Sequence, residues 1–342
     1  MMTLLFSSLH VSRRSAIQGF FLLVAGFFLF KLIKYNERQG VQERNVKARK
    51  PEKTLFVSGW YGQLNNNLLL IIHAMFVGSL INRKIVCSNH DMFDFFDFSL
   101  FEEHGMFVEP GNSLNDTIKL TKLRGILSED PAVLAMYSSN ESPLEITAEE
   151  AFFACLTPTQ NKLAFSLLRW KRKQLESLRF ILHEIGLVEG NFVAVHLRNL
   201  DLTCDQYITN YPTWIANRIR FSCPWNATTV YDILSSLQVS NTPLFLSSDG
   251  QVPSIDQEFF KKGAISLHNL SSELQIPSRY VDLFVISEAK YLFGNFISTF
   301  SNNAASMLLT KYPKHEIIFS FPPICKNGVE FWNCHRYAFW CI

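Results

Sequence analysis

The sequence lacks the short motifs by which many enzymes are recognised. It contains no Gly-x-Gly-x-x-Gly and no Gly-x-x-x-x-Gly-Lys-Ser/Thr, so it has neither the usual dinucleotide fingerprint nor a P-loop. It also contains no Asp-x-Asp, His-Glu-x-x-His or Gly-x-Ser-x-Gly. Metal-dependent sugar transfer and serine hydrolysis at a nucleophile elbow therefore lack their usual residues. No Cys-x-x-Cys or Cys/His spacing indicates a zinc site.

The chain also lacks a large excess of either positive or negative charge. The 342 residues include 32 Lys and Arg against 30 Asp and Glu, and the formal net charge is +2. We expect no nucleic-acid partner, because a polyanion-binding surface needs a clustered basic patch. Apolar residues, in contrast, are plentiful: 48% of the chain is hydrophobic, enough for a large core and two domain-sized units.

The N-terminus contains an almost unbroken apolar run from Ser15 to Leu32, about long enough to span a bilayer. We expect a membrane signal anchor here, and a cleaved signal peptide is the competing interpretation. The anchor predicts a single-pass type II protein of the Golgi or endoplasmic reticulum membrane, with most of the chain in the lumen. Four Asn-x-Ser/Thr triplets, which predict N-glycosylation, fit this location. They begin at Asn115, Asn140, Asn226 and Asn269.

Seven cysteines also fit an oxidising compartment. Three of them, Cys325, Cys334 and Cys341, crowd the C-terminus, where a disulfide could hold the tail. Cys87 ends a strand-like run, which is typical of a buried thiol. The odd count means that at least one cysteine stays unbridged within the chain.

Strand-like and helix-like segments alternate along the rest of the chain, which predicts an α/β fold of two doubly wound, Rossmann-like lobes facing a cleft. In the first lobe, strands at Lys53–Ser58 and Arg83–Ser88 flank an apolar helix at Asn66–Asn82, a βαβ unit. Helical periodicity runs from Thr157 to a stop at Gly186, and residues 91–155 are expected to form loops and short elements on this lobe.

The second lobe repeats the alternation. Its predicted strands begin at Phe192, Leu244, Tyr291 and Glu316, and its predicted helices lie near Tyr231–Leu237, from Tyr280, and at Asn302–Leu309. The predicted divisions are a cytoplasmic tail at 1–14, the anchor at 15–33, a stem at 34–52, an N-terminal lobe at 53–186 and a C-terminal lobe with a Cys-rich tail at 187–342.

Polar residues gather in four segments that follow strands, where ligands of such folds bind. The strand "VAVHLR" directs His196 and Arg198 to one side, because side chains alternate, and a guanidinium suits a phosphate. The structural alternatives are that Arg198 caps a helix or pairs with Asp201 or Asp205, and that His196 is satisfied in the core. Asp249 follows another strand in "SSDG".

The segment "GNFISTFSNN" places hydroxyl groups where a strand meets a helix. Ser298, Thr299 and Ser301 at a helix N-terminus would form an anion site, because helix dipole and N–H donors coincide there. The alternative is that Ser298 or Ser301 is only the N-cap. The loop "GQLNNN" offers Asn65 and Asn66 at another helix start, with glycines that allow close backbone approach.

Three of these segments together resemble the protein O-fucosyltransferases, particularly the type that modifies EGF-like repeats. In that family a Val-Asp-Leu run is followed, at the spacing seen here, by Gly-Asn-x-x-Ser-Ser/Thr-Phe, as in "YVDLFVISEAKYLFGNFISTF" at Tyr280–Phe300. "VAVHLR" resembles its His-Leu-Arg strand end. "GQLNNNLLLIIHAMFVGSLINRKIV" resembles its first loop and the helix that ends in Leu-Asn-Arg. The motifs also occur in the family's order.

The resemblance implies a GT-B fold and an inverting transfer of fucose from GDP-fucose that needs no metal or other cofactor. It implies that the C-terminal lobe binds the GDP-sugar and the N-terminal lobe faces the acceptor. Arg198 would hold the β-phosphate, Ser298 and Thr299 the diphosphate, and Phe300 would pack against the nucleotide. Asp282 would meet the guanine base.

Further roles are implied at the nucleoside and at the reacting centre. His196 would lie near the nucleoside, and Asn66 would reach the bond between phosphate and sugar. Asn65 and Asp249 complete the predicted donor-binding set. For the acceptor hydroxyl we consider Asp201, Asp249 and Asn66, and Asp201 lies one place from the family's downstream acid.

The chain departs from the family pattern in the first loop, which has Gln63 where the family prefers Arg, and Asn65 and Asn67 where Gly and Gln are usual. We therefore keep three hypotheses. The first is fucose transfer to Ser or Thr of a secretory-pathway protein. The second is transfer to a glycan hydroxyl, since the motifs also resemble α1,2- and α1,6-fucosyltransferases. The third is a membrane-anchored nucleotide-sugar-binding protein without activity.

Overall fold

The computed structural model describes residues 51–59, 62–88, 90–111, 117–121, 129–152, 156–198, 225–250, 253–267, 270, 274–295, 298–312, 316–318, 325–326 and 329–330. The chain divides into two units, Met1–Arg49 and Lys50–Ile342, and all described residues lie in the second. The predicted tail, the anchor and nearly all of the stem lie outside the described residues. No helix in the described part of the chain has the length and apolar character needed to cross a membrane.

The first sheet has five parallel strands in the order β4-β2-β1-β6-β5. These strands are β1 (Thr54–Ser58), β2 (Lys84–Cys87), β4 (Val108–Pro110), β5 (Ile118–Lys119) and β6 (Leu144–Thr147). The predicted βαβ unit is confirmed, because helix α1 (Leu64–Leu80) connects β1 to the neighbouring parallel strand β2. Cys87 is buried in β2.

The second sheet has four parallel strands in the order β11-β10-β8-β9. They are β8 (Val193–Leu197), β9 (Leu244–Ser248), β10 (Tyr291–Phe293) and β11 (Glu316–Ile318). Two small antiparallel sheets pair β3 (Phe96–Asp97) with β7 (Arg169–Trp170), and β12 (Cys325–Lys326) with β13 (Val329–Glu330). All four strands predicted for the second lobe are therefore present.

Helices connect and cover the sheets. After α1 they are α2 (His90–Phe95), α3 (Ser99–Glu103), α4 (Pro131–Ser139), α5 (Ala148–Phe152), α6 (Pro158–Leu167), α7 (Arg172–Glu184), α8 (Ala227–Ser236), α9 (Pro253–Lys261), α10 (Ser278–Ser287) and α11 (Thr299–Lys311). Helix α1 is buried along most of its length, which explains why its sequence is apolar on all sides. It packs against α5 and α11.

The side chains of β8 point alternately into two different hydrophobic cores. Ala194 belongs to the main core, which also contains Leu55 of the first sheet, whereas Val193 and Val195 face a smaller core with Trp225. The main core thus contains residues from both sides of the boundary predicted between 186 and 187. That boundary stays a prediction.

The helical periodicity from Thr157 to Gly186 does not form one helix. Thr157 starts α6 with a capping box, α6 ends at Leu167, and α7 starts only at Arg172. The break is the short strand β7, where the Trp170 ring packs 4.5 Å from that of Phe96. Sheet pairing and aromatic packing outweigh helix propensity here. The predicted stop is confirmed, because Gly186 has a φ of +77° after α7.

Residues 91–155 were expected to form loops and short elements packed on the first lobe, but they supply β4, β5 and β6, three of the five strands of the first sheet. They also contact a helix outside this sheet. The Phe95 ring stacks at 3.7 Å on Tyr280 of α10, and the Phe96 ring lies 6.2 Å from the same side chain. The aromatic residues of this segment therefore connect the first sheet to a helix that covers the second. Aromatic contacts of this kind add to the energy of apolar burial.

Candidate active site

Three neighbouring strands bring polar residues to one edge of the second sheet. Because β8, β9 and β10 are parallel, their carboxyl ends meet, and the residues that follow them are Arg198, Asp249 and Asn295. The Asn295 side-chain amide donates to the Arg198 carbonyl at 2.7 Å, and the Asp249 N–H donates to the Leu197 carbonyl at 3.2 Å. One side-chain and one backbone hydrogen bond thus fix the mutual position of these strand ends.

Helix α11 begins three residues earlier than predicted, at Thr299 instead of Asn302. Thr299, Phe300 and Ser301 therefore form its first turn, whose N–H groups have no partner within the helix. Ser298 occupies the N-cap position, but its hydroxyl makes no capping hydrogen bond, so the N-cap alternative does not account for this side chain. No acidic residue lies in the first turn to offset the positive end of the dipole.

A second helix N-terminus lies beside the first. Helix α1 follows Gln63, which makes no side-chain cap, and its first turn also has no acidic residue. The Asn66 side-chain oxygen accepts a hydrogen bond from the Thr299 hydroxyl at 2.5 Å. One turn further along α11, the buried Asn303 amide donates to the backbone and side-chain oxygens of Asn65, both at 3.0 Å. Two helix N-termini without side-chain caps therefore converge.

Gly62 allows the first loop to take this path. It has a φ of +69°, and a Cβ at this position would collide with the Asn66 side-chain amide. The Asn66 side-chain amide thus packs against the backbone at Gly62, where a residue with a Cβ would collide with it.

His196 lies against the first turn of α11. Its Nδ1 is 2.7 Å from the Ser301 hydroxyl, and its ring stacks on Phe300 with centroids 4.7 Å apart. Burial, followed by the nearby Arg198 charge, lowers the pKa of His196 to about 3. The ring is therefore neutral at physiological pH.

Arg198 forms an ion pair with Asp249, Nη1 to Oδ2 3.3 Å, and its side chain remains 26% exposed. The partners predicted for a paired arginine, Asp201 and Asp205, lie outside the described residues; the partner seen here is Asp249, and the guanidinium is still partly exposed. A guanidinium has five N–H donors in a planar fork, so it can contact a carboxylate and a ligand oxygen at the same time.

Asp282 approaches the same strand edge from α10. Its side chain is half-buried and accepts a hydrogen bond from Ser247, the residue of β9 that lies beside His196 in register. Burial raises the pKa of Asp282 to about 7, and the Ser247 hydrogen bond offsets part of that rise. A carboxyl group that titrates near neutral pH is unusual, and such groups cluster at functional sites.

Six of the predicted residues form three direct pairs: Arg198 with Asp249, His196 with Phe300, and Thr299 with Asn66. Asn65 and Asp282 contact residues outside the predicted set. Asp201 lies outside the described residues, as do Asn115 and Asn269. Among the described residues there is no group of His, Cys, Asp or Glu side chains that could hold a metal ion. The two described glycosylation triplets begin at Asn140, which is partly exposed, and at Asn226, which is exposed.

Sequence reasoning missed Asn295 and Asn303 as site residues, and it offered Ser301 for an anion site without its contact to His196. Asn295 follows the glycine at the end of β10, so its position offered a signal. Asn303 lies four residues after Thr299, and the helical repeat puts both on the face that meets α1. Nothing in the sequence pairs Ser301 with His196, 105 residues away in the chain.

No protein-family model matches the sequence, and no curated protein matches it. Similar solved structures exist. POFUT1 in complex with GDP-fucose has 13% identity and a TM-score of 0.57, over 78% of this chain and 98% of that chain. POFUT1 in complex with GDP has 14% identity and a TM-score of 0.58, over 79% and 98%. The apo form has 12% identity and a TM-score of 0.55, over 80% and 99%. This chain therefore has the α/β fold with parallel sheets that is seen in the POFUT1 structures.

Proposed function

We propose that the protein is a fucosyltransferase that transfers fucose from GDP-fucose to Ser or Thr of a secretory-pathway protein, with inversion and without a metal. The observation that carries the proposal is the convergence of two helix N-termini without side-chain caps beside Arg198. The fold supports it, since POFUT1 has been solved with GDP-fucose and with GDP. In this proposal the two lobes form a GT-B fold, and the C-terminal lobe binds the GDP-sugar.

The leaving GDP carries the charge that this site is suited to neutralise. Its diphosphate would bind at the first turn of α11, where N–H groups and the Ser298 hydroxyl are available. The Arg198 guanidinium adds a full positive charge beside it. Because fixed donors of this kind stabilise charge that develops in the transition state, transfer needs no metal ion at the phosphates.

The reacting bond would lie near Asn66, whose side chain meets Thr299 at the phosphate end of the site. Asn66 is an amide and cannot take a proton as a base, so it would orient the sugar or the acceptor. Asp249 already accepts a contact from Arg198, and donor phosphate would compete for that guanidinium. We propose Asp201 or Asp249 as the group that receives the acceptor proton.

The test is transfer of radiolabelled fucose by the purified protein. We expect incorporation into a folded EGF-like or thrombospondin-type domain in the presence of EDTA. The Arg198→Ala variant should lose at least about a hundredfold in turnover, as expected for removal of a charge-stabilising donor. Arg172→Ala is the matched control, because Arg172 is an exposed arginine of α7 that pairs with Glu176, one turn further along the helix, at 3.0 Å.

The outcomes separate the three hypotheses. Incorporation into a glycan array but into no protein domain would replace the acceptor by a glycan hydroxyl. GDP binding without transfer or donor hydrolysis would indicate a binding protein, the case that Gln63 suggests. Arg198→Ala with normal turnover would overturn the assignment of the phosphate site.

We further propose a type II membrane protein of the Golgi or endoplasmic reticulum with the catalytic lobes in the lumen, supported by the apolar run at 15–33. Glycosylation supplies the test. Asn226 is exposed, and its side-chain oxygen caps α8 while the amide nitrogen that would carry a glycan is not used by the cap. Expressed in cells, the protein should lose mass on glycosidase treatment, and Asn226→Gln should reduce that loss; an unchanged mass in both would contradict lumenal residence.

A further inference from the structure

A buried chain of three polar groups links the end of β10 to the ring of His196. The Asn295 N–H donates to the Ser301 hydroxyl oxygen at 2.8 Å, and that same oxygen lies 2.7 Å from His196 Nδ1. Asn295 and Ser301 are fully buried, and His196 is 5% exposed. Solvent therefore does not share in these hydrogen bonds.

The donors and acceptors of this chain determine where the hydroxyl hydrogen lies. A backbone N–H can only donate, so Ser301 accepts from Asn295 and keeps its own hydrogen for another partner. If His196 Nδ1 carried a hydrogen, both neighbours would donate to Ser301 and the hydroxyl hydrogen would point to neither. When Ser301 donates to Nδ1 instead, all three groups are satisfied, as buried polar groups require.

The tautomer of His196 follows from this direction. A neutral imidazole carries one N–H, so an accepting Nδ1 places the hydrogen on Nε2. The ring is neutral because burial and the Arg198 charge lower its pKa to about 3. Phe300 stacks on the ring face at an angle of 29°, which opposes rotation of the ring. His196 is therefore held in one orientation as a neutral donor.

We infer that Ser301 is a positioning residue that fixes His196 in the Nε2–H tautomer, so that Nε2 donates to an acceptor oxygen of the nucleotide, a phosphate or ribose oxygen. The tautomer itself rests on the contacts above, whereas its use in binding rests on the proposed function. The Ser301 hydroxyl acts through His196, without contact to the ligand. Through the Asn295–Ser301–His196 chain of contacts, the end of β10 thus determines where the His196 Nε2–H donor lies in the site.

Nitrogen NMR of the ¹⁵N-histidine-labelled protein tests the tautomer directly, with His196→Gln used to assign the signal. We expect Nδ1 to show the shift of an unprotonated nitrogen and Nε2 that of a protonated one, without titration above about pH 5. In Ser301→Ala, Nδ1 loses its donor, so the signals should move towards a mixture of tautomers. Ser301→Thr, which keeps a hydroxyl, should restore the wild-type pattern.

GDP titration of the same variants tests the consequence. Ser301→Ala should weaken GDP binding about tenfold, the loss expected for one well-placed hydrogen bond, and Ser301→Thr should recover most of it. Ser306→Ala is the matched control, because Ser306 is a buried serine of α11 whose hydroxyl donates to the Asn302 carbonyl, away from His196. It should change neither the His196 signals nor GDP affinity.

Each result of these measurements supports or overturns one part of the inference. A wild-type spectrum with the hydrogen on Nδ1 overturns the inference, and this measurement stands even if Ser301→Ala does not fold. A changed tautomer with unchanged GDP affinity overturns the role in binding. If wild-type protein binds no GDP, the proposed function fails at this site while the spectrum still decides the tautomer.

Discussion

Acidification should weaken binding of GDP-fucose through Asp282. In the proposed donor complex Asp282 meets the guanine base, which offers N–H donors, so its carboxyl group should be ionised in order to accept them. In the free protein, burial raises the pKa of Asp282 to about 7 from an ordinary value of 3.8. Below that pH a proton must leave before the base can bind, and the cost appears in the observed dissociation constant.

The magnitude follows from the pKa. If the complex holds Asp282 ionised throughout, the dissociation constant should be about tenfold larger at pH 6 than at pH 8, and should rise about another tenfold by pH 5. His196 does not contribute to this change, since its pKa of about 3 leaves it neutral over the whole range. The pH dependence of the dissociation constant is therefore that expected when binding releases a single proton.

Isothermal titration calorimetry with GDP-fucose is the assay. GDP itself is unsuitable, because its terminal phosphate titrates near pH 6, as phosphate monoesters do. Asp282→Asn is the control: it should bind GDP-fucose weakly and with little dependence on pH. Wild-type affinity that stays constant from about pH 8 to about pH 6 would refute the reasoning.

Acidification should have the opposite effect on protein stability: the contribution of Asp282 to the free energy of unfolding should increase as the pH falls. Between the ordinary pKa of 3.8 and the folded value of about 7, the native state holds a proton on Asp282 that the unfolded chain has released. The contribution of Asp282 to stability is therefore present at low pH and lost as the pH rises through about 7. Asp282→Asn should remove this dependence in urea unfolding curves, and a dependence that persists in the variant would assign it to other groups.

Three further predictions concern the contacts around the site. Gly62→Ala should reduce transfer more than Gly59→Ala, because both residues have positive φ but only at Gly62 would the methyl group meet the Asn66 amide; equal rates would show that the collision is relieved. Asn303→Ala, which removes two buried hydrogen bonds, should cost about 2 kcal/mol and lower the melting temperature by about 4–8 °C, measured by calorimetry. Arg83→Met should cost about 3 kcal/mol or more by the same measurement, because the buried guanidinium donates to four backbone carbonyls; a change below about 1 kcal/mol would contradict its structural role.

Alternation and local chemistry predicted most elements near the site. The apolar strands before Arg198, Asp249 and Gly294 could be predicted because parallel strands covered on both faces are continuous apolar runs. The polar residues after them could be assigned to one edge, since parallel strands end together. The periodicity at Thr157–Gly186 was misleading, because Trp170 keeps helical spacing while it pairs in a strand.

Local periodicity and residue chemistry are sufficient to predict the α/β alternation, the strand ends and the hydroxyl groups near the start of α11. They do not predict that Thr299 contacts Asn66, that Asn303 contacts Asn65, or that Ser301 contacts His196, since these contacts form only when the chain folds. These pairs are 105 to 238 residues apart in the chain. Their choice depends on how the first and second sheets pack, since a side-chain amide or hydroxyl has many possible partners and burial selects one.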